Sequence, residues 1–408
     1  MPYRSPVSDY EFIFKDIVPM EPIRQTSKFE DAQEDVVSAV LSECGKLCEE
    51  IMAPLQRPGD LHPAKLENGV VRTPPGFAEG YEAIRDGGWV GIAGDTNYGG
   101  MGLPMTAASA MNDMMSGACI SLHLLPLLSQ GQIEALEHHA SEQIKSTYLE
   151  KLNSGQWSGT MNLTEPHAGT DVGAIRSKAV PNGDGTYKIS GQKIYITWGD
   201  SDFMENTCHL VLARLPDGVP GPKGITLFMV PKFIPKDDGT PGDRNSLRVV
   251  SLEHKLGIHG SPTCVMQFDE ATGWLVGEEH NGMACMFTMM NNARLGVGMQ
   301  GIGIAEAAYQ HALSFAMDRK QGATKIEGGQ GTIVDHADVR RMLTSMKADI
   351  FAARCIGVAC AQAIDMTTAT GDAHWKSRAA LLTPIAKAFG SEVGIDVAEQ
   401  GVQIHGGM

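Results

Sequence analysis

The sequence has no C-x-x-C pair, no apolar run long enough to cross a bilayer, and no excess of basic residues. Each absence removes a class of protein. The eight cysteines (Cys44, Cys48, Cys119, Cys208, Cys264, Cys285, Cys355 and Cys360) are scattered. Cys44 and Cys48 stand at i, i+4, but no second Cys or His pair follows to complete a zinc site, so all eight read as reduced thiols. The longest apolar run, residues 118–128, carries His123 and Pro126. It falls well short of the ~20 residues a membrane helix needs and predicts a buried core helix. The N-terminus begins Met1-Pro-Tyr-Arg without an apolar h-region, which predicts no signal peptide and a cytoplasmic protein. Lys plus Arg number 33 and Asp plus Glu 48, a net charge of −15. Such a surface repels phosphate backbones and argues against a nucleic-acid partner.

What is present is a core. Apolar residues make up 42% of the 408 positions and charged residues 20%, enough for two or three domains. Residues 1–155 read as helical. Val36, Val37, Val40, Leu41, Leu47 and Ile51 recur at helical spacing. Pro54, Pro58, Pro63, Pro74 and Pro75 predict a long loop after them. Further helices are expected over 81–89, 105–117 and on to 152, with His138-His139 on a solvated face. Residues 156–280 change character. Asn182-Gly-Asp-Gly185 signals a hairpin turn, and short alternating segments follow it. They predict an antiparallel sheet or barrel and not a βαβ array. Residues 281–408 predict three long helices over 282–320, 336–370 and 375–404, a bundle that a fourth helix would close. Their Met-rich face (Met283, Met286, Met289, Met290, Met299) predicts adaptable core packing. The fold class expected is α+β, with helical, β and helical domains in that order.

Gly296-Val-Gly298-Met-Gln-Gly301 matches the dinucleotide fingerprint G-x-G-x-x-G. No strand precedes it and no βαβ unit surrounds it, so a run of small residues that admits a helix or ligand is the better reading.

Four stretches carry chemistry. Met161-Asn-Leu-Thr-Glu-Pro-His-Ala-Gly-Thr-Asp171 offers backbone N–H groups and hydroxyls in a Gly-containing turn. Lys193-Ile-Tyr-Ile-Thr-Trp-Gly199 places Tyr195 and Thr197 on one strand face. Arg319-Lys-Gln-Gly322 and Gln403-Ile-His-Gly-Gly407 complete the set. Together with Lys255-Leu-Gly-Ile-His-Gly-Ser-Pro-Thr263 and Gly273-Trp-Leu-Val-Gly277, they resemble the acyl-CoA dehydrogenase family over essentially the whole chain. The long connection over 231–248 resembles the larger-subunit branch, nearest the methylmercaptopropionyl-CoA dehydrogenases of bacterial dimethylsulfoniopropionate breakdown.

The resemblance implies an FAD enzyme, its flavin between the β domain and the C-terminal bundle. It implies that Met161, Leu163 and Thr164 line the isoalloxazine edge, that Ile196 and Thr197 contact the ring, and that Tyr195 supplies an aromatic face. Thr170 is implied at the CoA part of the ligand, with Asn291 and Arg294 on the substrate side and the acyl chain beside the small-residue run. Arg319, Gln403, Gly406 and Gly407 are implied to reach the FAD of a neighbouring subunit, which predicts a homodimer or homotetramer. The activity implied is α,β-dehydrogenation of an acyl-CoA to the trans-2-enoyl-CoA, with an electron-transfer flavoprotein as acceptor. Such chemistry needs a desolvated carboxylate base. The family's usual Glu, in Tyr-Glu-Gly-Thr, does not occur among these residues, and Ala293 stands where some relatives carry it. The expectation is a chain cut short, with the base beyond residue 408. An acyl-CoA oxidase of the same fold and a DNA-associated flavoprotein are the alternatives; the charge balance disfavours the second. Asn291 and Asn292 hint at a short or heteroatom-bearing acyl chain.

Overall fold

The computed structural model describes residues 3–324 and 326–407. The chain opens with α1 (Val7–Phe12), α2 (Glu21–Arg24), α3 (Glu34–Lys46) and α4 (Ala53–Leu61), with π-helical turns at Ile13–Ile17 and Leu47–Met52. The loop expected from Pro54 onward begins later. α4 runs on directly from the π-helical turn Leu47–Met52, and both Pro54 and Pro58 are carried within that continuous helical stretch. A hairpin of β1 (Lys65–Glu67) and β2 (Val70–Arg72) follows, inside what the prolines had suggested was loop. Its turn residues Asn68 (φ 51°) and Gly69 (φ 78°) are both left-handed, as a two-residue type I′ turn requires.

Next come α5 (Phe77–Asp86), α6 (Met105–His139) and α7 (Glu142–Asn153). Cys119 interrupts α6 with non-helical angles (φ −157°, ψ 86°). The β segment comprises β3 (Trp157–Asn162), β4 (Lys178–Pro181), β5 (Thr186–Thr197), β6 (Asn206–Arg214), β7 (Ile225–Pro231), β8 (Phe233–Pro235), β9 (Pro241–Arg244), β10 (Leu247–Leu252) and β11 (Thr263–Val276). β7 pairs with both β11 and β6, so β11, β5, β4, β6 and β7 form a closed ring. Pairing is antiparallel except that β6 runs parallel to β3 and β4. Val211, Phe228, Phe268, Ile189, Ile196 and Met266 fill its core. The long connection over 231–248 is the β8–β9 hairpin.

The chain ends in α8 (Gly282–Asp318), α9 (Ala337–Thr370) and α10 (Ala373–His405). Two compact units result. One takes in residues up to Gln56, Leu103–Ile120, and from Arg294 on; the other takes in Arg57–Gly102 and Ser121–Ala293. α4, α6 and α8 contribute residues to both.

In the first unit, α8 and α10 approach through glycine. A Cβ on Gly298 would stand 2.7 Å from the Ala386 carbonyl, and one on Gly301 2.2 Å from that of Gly390. Helix backbone therefore occupies the space beside Gly298 and Gly301, so of the helix or ligand that the small-residue run could admit, these two glycines admit the helix. Met286, Met289 and Met299 are fully buried, as core methionines should be. Arg354 of α9 is buried among carboxylates: Nε to Asp113 (2.7 Å), Nη1 to Asp9 (2.9 Å) and Nη2 to Glu306 (3.2 Å), with the Tyr10 hydroxyl donating to Asp113 (2.5 Å). This network fastens α1 to the bundle. Asp365, also on α9, accepts from the Met105 and Thr106 amides at 2.7 and 2.8 Å and so caps the first turn of α6. By length and composition α9 could cross a membrane, but its face is committed to these partners.

Two glycine substitutions should move stability in opposite directions. Gly301→Ala should destabilise by about 1–3 kcal/mol, because a clash with a backbone carbonyl outweighs the ~1 kcal/mol gained in helix propensity. Gly401→Ala should stabilise by up to about 1 kcal/mol, since its nearest neighbour would lie 3.7 Å away. Denaturant midpoints measure both.

Candidate functional site

Two chain segments meet at one end of the barrel. The first is the turn after β3, residues 163–171; the second is the end of β5. A fully buried cation joins them. Lys193 Nζ donates to Leu163 O (2.9 Å) and pairs with Glu165 Oε1 (2.8 Å). Glu165 also accepts from the Arg176 and Ser177 amides at 2.7 and 3.0 Å. Burial pushes Lys193 down to about 8, with Glu165 resisting. Burial alone would raise the Glu165 carboxyl, but Lys193 and the amide donors outweigh it and hold it below the usual range. The Ile194 amide donates to Thr164 O (2.9 Å), so Thr164 is seated directly beside β5.

The strand then bulges. Ile196 pairs with Cys264 and Lys193 with Met266, so Ile194 and Tyr195 together face Val265 alone. Tyr195 takes φ 61°, a left-handed conformation costly for an aromatic residue, and its side chain is 61% exposed. The expectation that Tyr195 and Thr197 simply share one face is thereby modified. Thr197 is half-buried, and Ile196 between them points into the barrel core at 2% exposure. Ile196 can offer a ligand only its main chain. Trp198, also left-handed (φ 52°), is buried with Nε1 donating to Ser121 O (3.1 Å). Met161 and Thr164 are half-buried, Leu163 is buried, and Thr170 is exposed. The hydroxyls of Thr164 and Thr197 have no hydrogen-bond partner among the described residues.

Beneath Met161 lies a buried polar ladder. Asn162 Nδ2 donates to Thr160 Oγ1 (2.8 Å), which lies 2.7 Å from His209 Nδ1. Burial pushes His209 down to about 3, so the ring is neutral. One proton bridges Thr160 Oγ1 and Nδ1, and Nε2 has no partner among the described residues.

On α8, Asn291 and Arg294 are exposed. Asn292 Nδ2 donates to Glu134 Oε2 on α6 (2.6 Å), and burial raises that carboxyl. Asn292 is thus engaged within the protein and gives no hint about a ligand. His139, placed on a solvated face by its sequence, is half-buried and bonds Thr288 Oγ1 (2.7 Å).

The other stretches gather at the far end of α8. Arg319 is exposed just past its last turn, and the Arg319 carbonyl accepts from the Ile333 amide (2.8 Å). His336 bonds Gln321 O (2.7 Å) and Asp335 accepts from the Gly331 amide (2.7 Å), which staple the loop. Phe315 stacks on His405 with centroids 4.6 Å apart, bringing Gln403, Gly406 and Gly407 to the Arg319 end. Two groups therefore exist. Met161, Leu163, Thr164, Thr170, Tyr195, Ile196, Thr197 and Asn291 belong to the barrel unit; Arg294, Arg319, Gln403, Gly406 and Gly407 belong to the bundle unit. Among the described residues no cluster of His, Cys, Asp or Glu could hold a metal ion. Sequence reasoning passed over Lys193 and Glu165, although both lie inside quoted motifs. It also passed over Glu134, and over His209, whose isolated polarity in an apolar run was the available signal.

Three family models match the chain: "Acyl-CoA dehydrogenase, N-terminal domain" over 60–156, "middle domain" over 160–271 and "C-terminal domain" over 280–408. The 3-methylmercaptopropionyl-CoA dehydrogenase of Ruegeria pomeroyi is 45% identical over 413 residues, spanning 100% of this chain and 70% of that protein. The broad-specificity linear acyl-CoA dehydrogenase FadE5 of Mycobacterium tuberculosis is 35% identical, over 99% of this chain and 69% of its own. Among solved structures, butyryl-CoA dehydrogenase from Megasphaera elsdenii superposes with TM-score 0.74 at 25% identity, over 92% of this chain and 89% of that one. A chain from a structure of the electron transferring flavoprotein of Acidaminococcus fermentans gives TM-score 0.74 at 25% identity, over 92% and 88%.

Breaking the buried pair should be costly in either direction. Lys193→Met and Glu165→Gln should each lose about 3–5 kcal/mol, because the remaining partner stays buried and uncompensated. The double variant should lose less than the two combined, which a double-mutant cycle on denaturation measures. A second expectation concerns acid. The folded value of His209 lies below its ordinary 6.5, so the unfolded chain binds the proton first. Its contribution to stability is complete above pH 6.5 and is lost as pH falls toward 3, by at most about 1.4 kcal/mol per unit. His209→Gln should flatten that slope, while His123, also held at about 3 by burial, keeps its share.

Proposed function

The chain belongs to the acyl-CoA dehydrogenase family, and from that premise we propose that it oxidises 3-methylmercaptopropionyl-CoA, or a related short or medium acyl-CoA, to the trans-2-enoyl-CoA. The 45% identity to the Ruegeria pomeroyi enzyme supports this choice of acyl group. One observation carries the site: Lys193 holds the Thr164 turn against β5, leaving the Thr164 and Thr197 hydroxyls unspent beside an exposed, strained Tyr195. Unspent polar groups next to an aromatic face suit a flat ring with polar edges, and FAD is the cofactor proposed.

FAD, when bound, accepts the substrate's β-hydrogen as hydride. The protein's part is binding, orientation and charge. Thr164 and Thr197 would hold the ring edge, Met161 and Leu163 would border it, and Tyr195 with the main chain of Ile196 would cover it. Arg319, exposed and without a carboxylate partner among the described residues, would neutralise diphosphate, with Gln403, Gly406 and Gly407 beside it. We assign these four to the FAD of a second copy in a homodimer or homotetramer, as the family resemblance implies. Thr170, Asn291 and Arg294 would meet the thioester ligand. Abstraction of the α-proton calls for a carboxylate; residue 293, before Arg294, is alanine and does not supply it. An electron-transfer flavoprotein is the acceptor proposed, supported by the likeness to the Acidaminococcus fermentans chain.

The test is anaerobic titration of the FAD-loaded protein with 3-methylmercaptopropionyl-CoA, butyryl-CoA and palmitoyl-CoA. Loss of flavin absorbance, strongest with the first, is expected. Unchanged absorbance with all three overturns the proposal, and peroxide release in air would reassign the acceptor to oxygen. Arg319→Gln should retain FAD about tenfold less tightly or worse.

A further inference from the structure

Thr197, one of the two threonines with an unspent hydroxyl, is flanked by left-handed residues. Tyr195 has φ 61° two positions before it, and Trp198 has φ 52° directly after it. Bulky side chains are costly in that conformation, and such strain persists only where the surroundings over-determine it. The glycine that could have taken the turn, Gly199, is not left-handed. Its missing side chain serves closeness instead: a Cβ there would stand 2.8 Å from Cys264 Cβ and 2.9 Å from Met266 Sδ. The strain is thus placed on Trp198, against Thr197.

Trp198 is held from four directions, all within the barrel unit. Its amide donates to Pro262 O (2.7 Å), and its indole Nε1 donates to Ser121 O on α6 (3.1 Å). Its ring stacks on Phe77 at the start of α5 (centroids 6.3 Å apart, planes at 26°) and meets Phe203 edge-on (5.9 Å, 65°). Phe77 is itself pressed against α4, where a Cβ on Gly59 would stand 2.7 Å from its Cζ. Thr197 pairs across the ladder with Thr263, the residue after Pro262. One side chain therefore ties the end of β5 to α5, α6 and the loop before β11, and fixes the peptide that joins residues 197 and 198.

A tryptophan that only filled core space would need no strained backbone beside a threonine with a free hydroxyl. We propose that Trp198 is the positioning residue of Thr197: it sets the direction of that hydroxyl, and through it the contact with the edge of the bound ring. At 1% exposure Trp198 offers a ligand no surface of its own, so it acts only through its neighbour. This rests on the FAD reading above.

The flavin absorbance spectrum and the FAD dissociation constant test it without turnover. Thr197→Val removes the hydroxyl and should shift the spectrum and weaken FAD about tenfold. Trp198→Phe keeps an aromatic ring on Phe77 but removes the indole donor. It should shift the spectrum in the same sense and weaken FAD about threefold or more. The double variant should match Thr197→Val alone, because an absent hydroxyl cannot be misdirected. Phe77→Leu removes the stacking platform, should reproduce the Trp198→Phe shift, and stands in if that variant does not fold. Wild-type spectrum and affinity in Trp198→Phe, or losses that add in the double variant, overturn the proposal and leave Trp198 a role in stability alone. Failure of the FAD reading shows separately, as wild-type protein that holds no flavin.

Discussion

A cation shut away from water must be given partners on every side or lose its proton, and Lys193 is under that constraint. Its ammonium is satisfied only if the Leu163 carbonyl and the Glu165 carboxylate come to it. Glu165, once there, has lone pairs that the amides of Arg176 and Ser177 fill. One buried charge therefore fixes the turn after β3, the end of β5 and the start of β4 relative to each other. The half-buried hydroxyls and the bulge at Tyr195 hang from those three segments. The strain of a left-handed tyrosine persists because the surrounding ladder over-determines it.

The bundle unit solves a similar problem with Arg354. Its guanidinium has three forks and finds Asp9, Asp113 and Glu306, one from α1, one from α6 and one from α8. A wrong docking of α1 would leave a buried carboxylate or guanidinium unpaired, which costs more than the apolar contacts of so short a helix can return. Close packing does the rest. Gly298 and Gly301 let α8 and α10 meet backbone to backbone, a distance that admits no side chain.

Much of this was legible from residue order. The hairpin at Asn182–Gly185, the three long C-terminal helices and the Met-rich core face follow from turn chemistry and from periods of 2 and 3.6. The 161–171 and 193–199 stretches were legible too, through their resemblance to the family's motifs. Three details were not. Pro54 and Pro58 read as breakers, yet the helix carries both just after the π-helical turn Leu47–Met52. Asn292 read as available until Glu134 was placed beside it. That Ile196 can offer a ligand only its main chain was not legible either, because the bulge turns its side chain into the core.

By itself the sequence determined the kind of elements, their order, the family and the residue types at each chemical stretch. These are local properties, set by neighbours a few positions apart. The tertiary structure decided which polar groups are already spent and which remain free for a ligand. That is a question of partners: Lys193 and Glu165 stand 28 residues apart, Asn292 and Glu134 158.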